Sequence, residues 1–211
     1  MVQRRRFHRS NNPRHPSRAK LRLNLKHSTK LSGLVGRLTE LPELTGRPIQ
    51  ICFQSKLTAD RGKLRSRQSG CGIAVYAASF VRKREIVLES ELLRRPGLLR
   101  LILIHELFHF VWLRLGNGAR EQFAGLLAEE YEHRARGELG ESAVVKKSVL
   151  KQDDCLARSR EWRDYVCESF CDTAAWRYSG VKQNGAFTLA LPWRKRRALW
   201  FNAQFAVRCK C

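Results

Sequence analysis

The sequence predicts an α+β protein in which a small sheet precedes a series of helices. Three segments have the alternation or the β-branched and aromatic content of strands, residues 47–54, 72–77 and 85–89. Four later segments have helical periodicity or a continuous apolar face, residues 98–113, 119–136, 160–178 and 192–201. A chain of 211 residues is long enough for one domain with a substantial core and flanking segments.

Charge divides the chain into three parts. The net charge is +22, yet residues 1–39 contain eleven Lys and Arg and residues 173–211 contain eight, both without an acidic residue. The nineteen acidic residues all lie between Glu40 and Asp172. We therefore predict a basic disordered arm over 1–39, a folded domain over 40–191, and a basic aromatic helix over 192–211.

The cationic ends, residues 1–39 and 193–211, would suit non-specific contact with nucleic acid or another polyanion. In the last helix, interleaved Trp and Arg residues would suit stacking on bases or a membrane interface. We favour a simpler interpretation, in which these aromatic residues pack on the domain and the Arg side chains are solvated. Solubility, or a genome rich in arginine codons, would also account for the charge.

The segments around the predicted strands have weaker patterns. Residues 31–44 place four leucines on one helical face and predict a short helix. Residues 55–70 hold five basic residues with Gly and Ser and predict a mobile loop, while residues 81–84 predict a turn. Residues 137–160 are polar and charged, and predict a loop or an irregular helix.

Residues 98–113 form an almost continuous apolar segment without Gly or Pro, which predicts a buried helix. At its centre is His105-Glu106-Leu107-Phe108-His109, an HExxH motif. Positions i and i+4 share a helix face, so both imidazoles can reach one metal ion, and Glu106 can act on a water molecule without being a ligand. A buried carboxylate beside two imidazoles is costly unless a cation compensates it. The alternative is a chance match in a helix with two satisfied histidines.

A third ligand is available on the helix predicted over 160–178. Glu168 follows His109 by 59 residues and would complete a His₂Glu site with an open fourth position, which is typical of a catalytic zinc. Asp172 lies one turn later on the same face, where it could accept the free ring N–H of a ligating histidine.

The two motifs together resemble the gluzincins, the thermolysin-like zinc metallopeptidases, over about forty residues of the chain. The resemblance implies a zincin-like fold, one catalytic zinc held by His105, His109 and Glu168, Glu106 as the general base, and Asp172 as a residue that orients a ligand. The implied activity is hydrolysis of peptide bonds in a peptide or protein substrate. The resemblance also implies that an edge strand beside the cleft binds the extended substrate as an added strand of the sheet. The chain departs from the family signature at Cys167 and Cys171, where the family has Asn and Ser.

Many gluzincins stabilise the oxyanion with a later His or Tyr, but no histidine follows His133 in this chain. Tyr178, Arg177 or Tyr165 would have to take this role, and we assign it to Tyr178.

Other metallopeptidase types fit these residues less well. A metzincin would place its third ligand at position 115, which is Leu115, and its Gly at Trp112. A Spr-T-like protease would use His133, although that residue lies in a charged segment typical of a solvated face. Regulatory metallopeptidases related to phage-repressor cleavage also pair HExxH with a downstream Glu. Two further possibilities are a nucleic-acid-associated regulatory protease and a binding protein on a degenerate zincin scaffold, but the intact Glu106 argues against the second.

Seven cysteines, an odd number, argue against a complete disulfide framework. No secretory signal is visible, and Arg100 and the His105-Glu106 pair interrupt the apolar segment, so we expect a cytoplasmic protein without a transmembrane segment. Buried thiols are the simplest role for the cysteines. The alternative is a second metal cluster, which would draw on Cys155, Cys167, Cys171, Cys209 and Cys211.

Overall fold

The computed structural model describes residues 23–25, 41–60, 63–66, 73–206 and 208–210, with side chains over 41–59 and 73–206. The fold is α+β, as the sequence predicts: short strands are followed by six helices in this part of the chain. The strands are β1 (Leu23–Leu25), β2 (Glu43–Thr45), β3 (Ile49–Gln54), β4 (Leu57–Asp60), β5 (Lys63–Ser66), β6 (Ile73–Ala74), β7 (Ala77–Phe80), β8 (Glu85–Glu89) and β9 (Arg208–Lys210). The helices are α1 (Pro96–Arg114), α2 (Asn117–Glu132), α3 (Glu141–Ser148), α4 (Asp154–Ala157), α5 (Arg160–Tyr178) and α6 (Leu191–Gln204).

The main sheet has the strand order β1-β3-β8-β7. Strand β3 is parallel to both β1 and β8, whereas β7 runs antiparallel to β8. Three consecutive residues of β8, Ile86, Val87 and Leu88, are buried, as expected for a strand covered on both faces. Among the described strands, β7 has a neighbour on one side only, so it forms an edge of this sheet.

Two small sheets accompany the main one, and both differ from the sequence-based expectation. The predicted loop over 55–70 contains strands β4 and β5, which pair antiparallel and are joined by β6. The strand predicted over 72–77 is divided: β6 joins this small sheet, and the edge strand β7 begins only at Ala77. The turn predicted over 81–84 is confirmed by a 3₁₀ turn at Val81–Lys83.

The prediction of a helix over residues 31–44 is wrong for residues 41–44, the part of this segment that the structure describes. Residues 43–45 instead form β2, which pairs in parallel with β9 near the C-terminus. That pairing partner is far away in the sequence, so the local leucine pattern could not indicate it. Residues 26–40 lie outside the described residues, as does the predicted basic arm apart from β1.

The helices predicted over 98–113, 119–136, 160–178 and 192–201 are confirmed as α1, α2, α5 and α6. Pro96 occupies the first turn of α1, where a missing N–H costs nothing. By length and apolar composition α1 could cross a membrane, and 56% of its apolar window is buried inside the protein. The segment over 137–160 contains the two short helices α3 and α4.

Helix α1 packs along α5, and aromatic side chains fill the space between these helices and α6. Phe108 of α1 lies 5.8 Å from Phe170 of α5, and Phe170 stacks on Phe201 of α6 at 5.1 Å between ring centroids. Helix α6 therefore contributes to the same core as the helices that carry the two motifs.

A buried ionic cluster also holds α6 in place. Arg197 is fully buried and donates hydrogen bonds to both oxygens of Glu130 on α2. It also lies 2.9 Å from Glu138, which accepts hydrogen bonds from Lys147 and Tyr165. The expectation that the Arg side chains of α6 are solvated is thus wrong at Arg197, because three helices and a connecting loop enclose it.

The neighbouring cations of α6 also have partners within the protein. Arg196 forms an ion pair with Glu129, and Arg194 donates to the backbone carbonyls of Phe187 and Leu189. These contacts engage cationic side chains that would otherwise be available to bind a polyanion.

Candidate metal centre

Three predicted ligands come together between α1 and α5. His105 and His109 lie one turn apart on α1, and Glu168 faces them from α5. Glu168 Oε2 lies 3.2 Å from His105 Nε2 and 3.9 Å from His109 Nε2. One ligand atom from each residue lies within 4.8 Å of the others, so this group could hold a metal ion.

Asp172 fixes the orientation of His105. Its Oδ1 lies 2.7 Å from His105 Nδ1, and its Oδ2 accepts a hydrogen bond of 2.8 Å from the backbone N–H of Ala143. A carboxylate oxygen accepts a hydrogen bond from the ring N–H at Nδ1, so Nε2 is the ring atom that faces Glu168 and would bind a metal ion. The same carboxylate caps α3, because Ala143 lies in its first turn and its N–H has no partner within the helix.

Gly140 makes room for this carboxylate. A Cβ atom at Gly140 would lie 2.2 Å from Asp172 Cγ and 2.4 Å from each of its oxygens, far closer than atoms approach in folded proteins. The backbone at Gly140 is extended, with φ of −175°, so the glycine is needed for close approach rather than for its backbone conformation.

We therefore predict that Gly140→Ala weakens metal binding by about 10–100-fold, because the added methyl group expels Asp172 from its contacts with His105 and Ala143. Competition with a chromophoric chelator would measure the affinity. Gly125→Ala is the matched control, because nothing lies within 4 Å of a Cβ at that helical position. Unchanged affinity in a folded Gly140→Ala protein would contradict the role of Asp172.

His109 has different partners. Its Nδ1 lies 3.4 Å from Cys171 Sγ and 3.7 Å from Cys167 Sγ, while its Nε2 faces Glu168. Both cysteines lie on α5, one turn apart, on either side of Glu168. Two thiols thus lie against Nδ1 of His109, as the Asp172 carboxylate lies against Nδ1 of His105. Together with His109, the two cysteines form a second group that could hold a metal ion.

Electrostatics in this cluster favours positive charge at the imidazoles. Burial lowers the pKa of His105, but hydrogen bonds with Asp172 and Glu168 outweigh burial and raise this pKa well above its ordinary value. Burial raises the pKa of Glu168, but His105 and His109 reverse this effect, so the pKa is lowered. The hydrogen bond with Cys171, together with His109, lowers the pKa of Cys167 to about 6 despite burial. The anionic groups therefore stabilise a cation between the two helices, which is the charge that a metal ion brings.

The three candidate ligands open onto a cleft of about 470 Å³. Strand β7, together with Val81 just after it, forms one wall. The other walls are α1, the first turn of α3, and α5. The lining residues include Ala78, Ser79, Val81, Trp112, Ser142 and Cys167. Glu106 also lines this cleft. Its Oε2 accepts a hydrogen bond of 2.5 Å from the Ser79 hydroxyl, so the edge strand fixes the orientation of the carboxylate.

The structure does not bring Tyr178 to this cleft, which corrects its assignment as a catalytic residue. Tyr178 lies ten residues after Glu168 on α5, which is about 15 Å along the helix axis. It is buried in the aromatic core, where it stacks on Phe108 at 5.5 Å.

The other candidates for the oxyanion and for the third ligand also lie elsewhere. Tyr165 is buried and donates to Glu138, and Arg177 contacts Asn202 and the ring of Tyr178. His133 is exposed at the end of α2, where its Nδ1 contacts the Glu129 carbonyl. The five-cysteine cluster is not formed by the described side chains, since Cys155 belongs to neither candidate metal group, and Cys209 and Cys211 have no described side chain.

Sequence reasoning missed two residues that support the site. Ser79 and Gly140 stand in no motif, and each acts on the site from a distant segment. The cysteines beside Glu168 were visible in the sequence, but only their distances to His109 reveal the contact.

No family model, curated protein or solved structure matches this chain.

Proposed function

We propose that this protein is a zinc-dependent peptidase with a zincin-like fold. The observation that carries this proposal is the convergence of His105, His109 and Glu168 beside Glu106 in one open cleft. A purely structural site has no need of a base next to its ligands, and structural zinc sites are usually closed by four protein ligands.

The donor set supports zinc as the metal. Two imidazole nitrogens and one carboxylate oxygen, with one position left for water or substrate, form a common catalytic zinc set. The hydrogen bond between Asp172 and His105 supports it further, because an outer carboxylate fixes the tautomer that a metal requires. Bound zinc would lower the pKa of a water molecule to about 7 and polarise the scissile carbonyl.

Glu106 is the general base of the proposed reaction. Its carboxylate would take a proton from the attacking water and deliver it to the leaving amine. The Ser79 hydroxyl restricts the carboxylate through their hydrogen bond. Ser142, in the first turn of α3, also lines the cleft and replaces Tyr178 as our candidate donor to the developing oxyanion.

The substrate would bind along β7. This strand carries Ala78 and Ser79 on the cleft wall, and the side on which it has no partner among the described strands would offer backbone N–H and C=O groups to an extended peptide. A peptide that adds to this edge would pass directly over the cluster of ligands, because Ser79 contacts Glu106. The mode of binding therefore favours extended or unfolded segments over folded surfaces.

The experiment that tests the metal site is elemental analysis of purified wild type and Glu168→Ala. We expect one zinc per chain in wild type. In Glu168→Ala the affinity for zinc should fall by more than the about 10–100-fold that is typical when a residue that hydrogen-bonds to a ligand is lost, because Glu168 would itself be a ligand. Glu161→Ala is the matched control, since Glu161 is exposed on the same helix. Zinc that binds Glu168→Ala as tightly as wild type would refute the His₂Glu site and the proposed function with it.

A further inference from the structure

We propose that His109, Cys167 and Cys171 form a second metal site, which takes a soft, thiophilic cation such as Cu(I) or Cd(II). This site uses Nδ1 of His109, whereas the His₂Glu cluster uses Nε2 of the same ring. It does not depend on peptidase activity, and it stands on a separate set of donor atoms.

The distances fit a common centre. Nδ1 of His109 lies 3.4 Å from Cys171 Sγ and 3.7 Å from Cys167 Sγ. For metal–nitrogen and metal–sulfur bonds of about 2.0 and 2.3 Å, donor atoms at angles of about 110–120° lie about 3.5–3.7 Å apart. Both nitrogen–sulfur distances therefore match a coordination shell, and the ligand atoms of the three residues all lie within 4.8 Å of one another, even though one helix supplies the imidazole and another supplies both thiols.

The chemistry of the donors selects the class of metal. Thiolates with an imidazole favour soft cations, whereas hard cations such as Mg²⁺ and Ca²⁺ prefer oxygen ligands. Cys171 is fully buried, but Cys167 is half-buried and lines the cleft, so a cation can enter beside Cys167. Cys155, the nearest comparable cysteine in the sequence, belongs to neither group of potential ligands.

Occupation of this site has a consequence for the His₂Glu cluster. A neutral imidazole has one ring nitrogen with a lone pair and one that carries a proton. When Nδ1 of His109 coordinates a soft cation, the proton moves to Nε2 and His109 is withdrawn from the other cluster. The two sites thus compete for one ring, so a soft cation at the thiols would displace a metal from the His₂Glu cluster.

Cadmium titration tests the proposal, with the ultraviolet thiolate-to-cadmium charge-transfer band as the readout and a phosphine reductant to keep thiols reduced. The titration uses full-length wild type, Cys167→Ser, Cys171→Ser, the control Cys155→Ser, and Glu168→Ala. We expect the band to saturate at one equivalent in wild type, in Cys155→Ser and in Glu168→Ala. The band at one equivalent should be lost in Cys167→Ser and in Cys171→Ser.

The results distinguish this site from the proposed peptidase site. Loss of zinc with retention of the cadmium band in Glu168→Ala would show that the thiol site exists separately. A band that persists in Cys167→Ser and Cys171→Ser would overturn the proposal, because other thiols would then bind the cation. No band at one equivalent in wild type would also overturn it and leave the thiols as hydrogen-bond partners of His109. Circular dichroism checks folding, and if the buried Cys171→Ser variant unfolds, the half-buried Cys167→Ser variant decides.

Discussion

Glu106→Gln is expected to lower peptide cleavage by at least about 10²–10⁴-fold and to leave zinc content unchanged, because an amide cannot accept the proton of the attacking water. Gln has nearly the shape of Glu, and its amide can keep a hydrogen bond with the Ser79 hydroxyl. Neither His105 nor His109 loses its contact with Glu168, so the proposed ligands remain in place. The variant therefore separates proton transfer from metal binding.

Cleavage can be measured by mass spectrometry of a complex peptide mixture, which offers many sequences at once, with zinc content measured on the same samples. Glu161→Gln makes the same change at an exposed position of α5 and should behave as wild type. Equal cleavage by Glu106→Gln and wild type would remove Glu106 as the base. A zinc-loaded wild type that cleaves nothing in the mixture would count against the peptidase proposal itself.

Arg197→Ala is expected to destabilise the fold by about 3–5 kcal/mol, because it leaves two buried carboxylates without their main counter-charge. Arg197, Glu130 and Glu138 are all fully buried. Arg197 contacts Glu130 through three hydrogen bonds and lies 2.9 Å from Glu138. In the variant, Lys147 would remain 2.9 Å from Glu138 and compensate its charge in part. Glu130 would lose Arg197, the buried side chain that donates hydrogen bonds to its carboxylate.

Urea unfolding followed by circular dichroism would give the change in free energy of unfolding. Lys195→Ala is the matched control, because Lys195 is exposed on the same helix and its removal should change stability by less than about 0.5 kcal/mol. Arg197→Met retains most of the side-chain volume, so a similar loss in this variant would assign the effect to charge rather than to a cavity. An Arg197→Met protein as stable as wild type would show that the carboxylates are protonated or rearranged instead.

The sequence by itself determined which residues of each segment share a helix face. His105 and His109, like Glu168 and Asp172, are spaced by four residues in strongly periodic segments, and helical geometry alone places each pair on one side. Burial of α1 followed from its apolar composition, and the order of strands before helices followed from the change of period along the chain.

Only the tertiary structure decided which of these faces meet. Periodicity shows which residues of one helix or strand share a side, but it does not show which other element packs against that side. No local pattern could therefore pair Ser79 with Glu106, or Gly140 with Asp172. The same limit explains Tyr178, whose residue type suited catalysis although α5 carries it into the aromatic core. It also explains Arg197, whose local sequence is that of a solvated helix but whose burial depends on two carboxylates from distant segments. Non-local contacts follow from how the elements pack together, and single-sequence patterns carry no direct record of that packing.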